Sequence, residues 1–180
     1  PDPAALEAGM PAGPYPMMIV GVTDLLKTVS LNFGGCSLPA APHIANQPEL
    51  DGVDPDAAFE VRWDAWGAGA ADDLILVEVE DIDDGVVYRS PFVGEPGALP
   101  GTATAATVPP GVLVDDTVYE IRVSFLDITV RDTASYPGAL GVAGCMSTTS
   151  LEFTAGDGGG GGTDTTPPTL VATLPANLET

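Results

Sequence analysis

The chain has 180 residues, and its 26 Asp and Glu against five Lys and Arg give a formal charge of −21. Neutralising phosphate takes clustered Lys and Arg, so five scattered cations argue against nucleic acid and against anionic membrane surfaces as partners. Its 22 Gly and 18 Pro stay below the ~25–30% of a disordered low-complexity chain, and Leu, Ile, Val and Phe, about a quarter of the residues, exceed the ~20% floor for folding.

Alternating apolar and polar residues bounded by Gly, Pro and Asp dominate, and helical periodicity is nearly absent, which predicts an all-β domain. Residues 1–16 are rich in Pro, Ala and Gly and read as an extended arm. Met17–Val22 and Leu25–Phe33 read as the first strands, and residues 34–57 as a long Pro-rich connection. Phe59–Asp64 alternates as a half-buried strand must. In Leu74–Glu80, either Leu74 and Leu76 or Ile75, Val77 and Val79 face inward. Asp83, Asp84 and Gly85 supply a tight turn from which Val86–Ser90 returns.

A Gly/Pro loop at 91–101 precedes Thr102–Val108, whose Thr and Ala suit an edge strand. In Leu113–Phe125, the residues Tyr119, Ile121, Val123 and Phe125 share one face. A Tyr entering a strand just after a tight turn suits a corner in which its hydroxyl bonds the backbone of the preceding loop. Residues 127–147 read as an insertion ending at Cys145, and Thr148–Thr154 closes the sheet. The domain thus runs over 17–155, with a Gly-rich linker at 156–163 and a tail at 164–180.

Val108–Leu113, continued through Tyr119 to Val123, together with Trp63 on an earlier strand, resembles the fibronectin type III and immunoglobulin-like β-sandwich. Ile44–Asn46, Phe59–Trp63, Gly101–Thr104 and Ser135–Gly138 look like a module of large exported proteins of environmental bacteria. The resemblance covers residues 40–155 and implies a sandwich that stands in tandem with other immunoglobulin-like domains. It is nearly silent on activity. Asp164–Asn177 resembles the opening strand of a bacterial immunoglobulin-like domain, either the start of a next domain or a donor strand.

Low Lys, high Asp and two cysteines point to an exported, extracellular or cell-surface protein. The Pro1 start is that of a processed chain or a fragment. Cys36 and Cys145 lie in no CxxC arrangement, which disfavours zinc and covalent haem; in an oxidising compartment they are expected to form a disulfide, with two buried thiols the competing reading. No apolar run reaches the ~18–20 residues of a membrane span, so insertion is not expected.

Acids gather in short clusters. Asp81, Asp83 and Asp84 are the weak calcium candidates, matching an oxygen-ligand loop only in part, and solvated turn carboxylates are the competing reading. No other cofactor is implied. His43 is the single histidine and sits in a Pro-rich loop, so a nucleophile–histidine pair has little to build on and no enzyme is expected. Trp63 is expected in the core and Trp66, near a strand end, as a ligand or subunit contact.

The expected function is an extracellular structural subunit that self-associates head to tail into a filament by strand exchange. The exchanged strand is either Pro168, Thr169, Leu170, Val171, Ala172, Thr173 and Leu174 of the tail or Met17, Met18, Ile19 and Val20 near the N-terminus. The alternative is a carbohydrate- or surface-binding module of a large adhesin.

Overall fold

The alternating runs form antiparallel strands in a computed structural model, which describes residues 11–21, 25–136 and 138–156. Two central strands are β4, Leu74–Asp81, and β8, Val118–Asp132. Their register sets Ile75 opposite Phe125, Val77 opposite Val123 and Val79 opposite Ile121. Side chains alternate across a strand, so this one register sends all six to the same face, where all are buried.

The long strand β9, Gly141–Thr154, pairs with the far side of β8, and β5, Gly85–Arg89, pairs with β4. The sheet order is β5–β4–β8–β9, with the two-residue β6, Leu99–Pro100, beside the start of β4. Facing it are β3, Phe59–Arg62, and β7, Ala105–Val108, extended by a bridge between Ile44 and Trp63. Val61, Trp63 and Val108 from this layer pack with Val77, Ile121, Val123 and Phe125 from the other in one core. The fold is therefore all-β and antiparallel, built as two packed layers.

Between residues 34 and 57 the chain makes one helical turn, α1, Gln47–Leu50, which drops Leu50 into the core at 1% exposure. The all-β expectation passes over it because four residues are too short to show a 3.6-residue period.

Two features differ from the expected layout. The segment 127–147 is the distal half of a long β8–β9 hairpin, with pairing that continues to Asp132 opposite Gly141. Its register shifts between Ile128 and Val130, a bulge that breaks the alternation. Gly144 accommodates the bulge, because a Cβ there would lie 2.0 Å from the Asp127 carbonyl oxygen.

The second difference lies at the N-terminal side. Strand β1 begins at Gly13 and runs to Gly21, pairing along its whole length with β2, Leu25–Phe33. Residues 13–16, expected in an arm, thus belong to this hairpin. Pro14 and Pro16 lack an N–H and are tolerated because β1 is an edge. Leu31 and Phe33 anchor the base of the hairpin, and a Cβ on Gly141 would lie 2.9 Å from Leu31 Cδ2. A disulfide between Cys36 and Cys145, Cα atoms 5.8 Å apart, ties the exit of β2 to β9.

Candidate functional site

Tyr119 sits at the start of β8, 1% exposed, and its hydroxyl accepts a hydrogen bond from the Val114 N–H at 2.8 Å. The ring tilts against Phe153 of β9. Asp116, at φ 54°, makes the turn between them, the one non-glycine residue with positive φ among the described residues. This corner fixes where β8 enters the sheet; it offers nothing to a ligand.

Trp66 is not a surface contact. It is 9% exposed and stacks on Phe125, ring centroids 5.1 Å apart and planes within 6°. The turn around it closes with Gly69 donating its N–H to the Trp66 carbonyl, and a Cβ on Gly69 would lie 2.8 Å from the indole. Burying a flat ring against Phe125 removes more apolar surface from water than leaving it at the strand end. Trp63 lies deeper, and its indole N–H donates to the Ala103 carbonyl at 2.9 Å. A stacking platform built on Trp66 is therefore lost.

Asp81 accepts the N–H groups of Asp83 and Asp84 on one carboxylate oxygen, at 2.9 and 3.3 Å. That is an Asx turn, the ordinary work of Asp at a hairpin. Among the described residues no group of three His, Cys, Asp or Glu converges as a metal site. His43 Nδ1 lies 3.0 Å from Asp64 Oδ2, both side chains well exposed.

Asp73 was not distinguishable in the sequence from the other turn acids, yet it is buried at 9% exposure. One oxygen accepts the Ala70 N–H at 2.8 Å and the other the Ile128 N–H at 3.0 Å, the amide that the β8 bulge frees. It bolts the loop before β4 to the bulge. Desolvation, then the charges of Asp73 and Asp72, push neighbouring Asp127 above the ordinary carboxylate range. At the hairpin tip, bonds from the Ser135 hydroxyl and from the Ser135 and Ala134 amides hold Asp132 below it.

On the outer face of the sheet, Arg122 pairs with Glu80 and Glu120. The facing layer carries Arg62, at the end of β3, with Glu49 and Glu60. Charge is thus placed on faces and turns. The outer edge of β9 differs, because residues 141–151 carry no charged side chain and no Pro. Its main-chain partners on that side, among the described residues, are confined to the end: Gly52 N–H donates to the Thr154 carbonyl at 2.9 Å, and Val53 bridges Ala155 in parallel. Residues 36–42 run beneath β9, where Ser147 and Thr149 donate their hydroxyls to the Pro39 and Pro42 carbonyls.

Met17, Met18, Ile19 and Val20 are paired within the chain to Val29, Thr28, Lys27 and Leu26. The run offered as an alternative exchange strand is thus a hairpin strand, with β2 satisfying one of its sides. Met18 and Leu26 stay exposed, at 68% and 60%. Pro168–Leu174 lies outside the described residues. Comparison with protein-family models, with characterised proteins and with solved structures finds no match. No helix among the described residues is long and apolar enough to cross a membrane.

Proposed function

We propose that this chain is a structural subunit of an extracellular fibre, a fibronectin type III-like sandwich that joins copies of itself by strand exchange. The sheet order β5–β4–β8–β9 facing β3 and β7, with a tyrosine corner at Tyr119, supports the sandwich assignment. The disulfide supports an oxidising compartment.

One observation carries the assembly reading. Strand β9 is 14 residues long and ends the main sheet, yet its first eleven residues have none of the charges or prolines that keep edges from pairing. In a chain of charge −21, that concentration of neutral edge supports this edge as the one to which another strand would add. The burial of Trp66 takes from the ligand-binding alternative its aromatic contact and leaves it only an acidic loop.

Negative-stain microscopy of the purified, oxidised full chain tests the reading. Filaments from this single species, without added ligand, are the expected result. A chain that stays monomeric at every concentration overturns it.

A further inference from the structure

Extended backbone points alternate residues to opposite sides of a strand, so knowing one residue of β9 fixes the rest. Thr154 points outward, because its N–H reaches Asp51 Oδ1 at 3.3 Å and its carbonyl takes the Gly52 N–H. Counting back by two, Glu152, Ser150, Thr148 and Met146 also aim their N–H and C=O groups away from β8. The register between β8 and β9 runs without a shift over this stretch. These groups form a ladder half with no main-chain partner among the described residues.

We propose that this half-ladder, centred on Met146, Thr148 and Ser150, receives Thr169–Leu174 from the tail of a second copy. The inference rests on the fibre reading and names both sides of its contact. The segment 165–176 is uncharged, as is the edge at 141–151, so this is a pairing that brings two acidic subunits together without placing like charges opposite one another. Thr169–Leu174 alternates Leu170, Ala172 and Leu174 with Thr169, Val171 and Thr173, as an added strand requires.

Chain geometry disfavours a direct turn of the tail back onto the same copy. Val53 lies beside Ala155 in parallel, and the Gly156 N–H donates to the Val53 carbonyl at 2.8 Å. Residues 52–53 therefore occupy the edge where the chain leaves, and a tight return onto β9 is blocked. The thirteen Cα–Cα steps from Gly156 to Thr169 span at most ~45 Å when extended, enough to reach the next subunit. The N-terminal run Met17–Val20 already pairs with β2 along one of its sides. The contact joins different surfaces of the two copies, so it propagates as a filament unless its rotation closes.

Complementation in full-length chains tests this. Ser150→Pro removes an outward N–H and leaves the pairing with β8 intact, and Ser150→Glu, opposite Arg122, places a charge at the same point should the proline disturb folding. Leu170→Glu places a charge on the apolar face of the tail strand and spoils it. Each variant alone is expected to lose fibres completely, and an equimolar mixture of an edge variant with the tail variant to give a 1:1 dimer that grows no further, read by sedimentation. Fibres that persist in the variants would overturn the β9 contact while leaving the fibre reading in place. Variants that remain separate when mixed would overturn it as well, by placing the tail on its own chain. A wild-type chain that forms no fibres under the same conditions overturns the fibre reading itself.

Discussion

A single hydroxyl can carry a turn. Tyr119 accepts the Val114 N–H from a nearly buried position, so Tyr119→Phe leaves that amide without its partner while keeping the ring against Phe153. The expected loss is about 1–2 kcal/mol, the usual cost of an unpaired buried donor, and chemical denaturation measures it. Asp127 gives the opposite sign. Burial and then the charges of Asp73 and Asp72 raise its folded pKa above 3.8, so the unfolded chain ionises first as pH rises. Stability is unaffected while both states hold the proton, falls as pH climbs through the folded value, and stays lower above it. Asp127→Asn should therefore match the wild type in acid and melt higher at neutral pH. Thermal melts across that range check it, and a variant melting lower at neutral pH would show that the charge is welcome where it sits.

Elements were legible in proportion to the regularity of their surroundings. Tyr119, Ile121, Val123 and Phe125 alternate because one side of β8 faces the core along that stretch. Beyond Leu126 the same strand meets a second, smaller cluster and bulges at Ile128, so its alternation breaks and the sequence reads as an insertion. Trp66 misleads for a different reason: its stacking partner, Phe125, is distant in sequence and comes near only when β4 and β8 pair. The cysteines were legible as a pair, but what they join was not. They fasten the β1–β2 hairpin to β9, across a separation of 109 residues. Replacing both by Ser should cost about 4–5 kcal/mol if loop entropy of the unfolded chain is the source. Against the ~5–15 kcal/mol of a typical domain, that leaves little. Urea unfolding of the double Ser variant measures it, and a loss under about 1 kcal/mol would show that packing at Leu31 and Phe33 holds the hairpin unaided.

At the scale of the molecule, charge and edge must be weighed together. Composition alone made −21 a reason to exclude partners; the fold sets Glu49 and Glu60 around Arg62 and Glu80 and Glu120 around Arg122. The neutral stretch at 141–151 could not be recognised as an edge until the pairing order put β9 last. A contact formed there between copies gains nothing from electrostatics and pays only the repulsion between two acidic bodies. Salt weakens that repulsion, since the screening length falls from ~10 Å at 0.1 M to ~3 Å at 1 M. In the proposed contact, burial of the apolar face Leu170, Ala172 and Leu174 would not be screened. Assembly followed by light scattering should therefore accelerate, and its critical concentration drop, as sodium chloride rises through that range. Fibres held by ion pairs would do the reverse, so filaments that dissolve with added salt would place the contact among the charged faces rather than on β9.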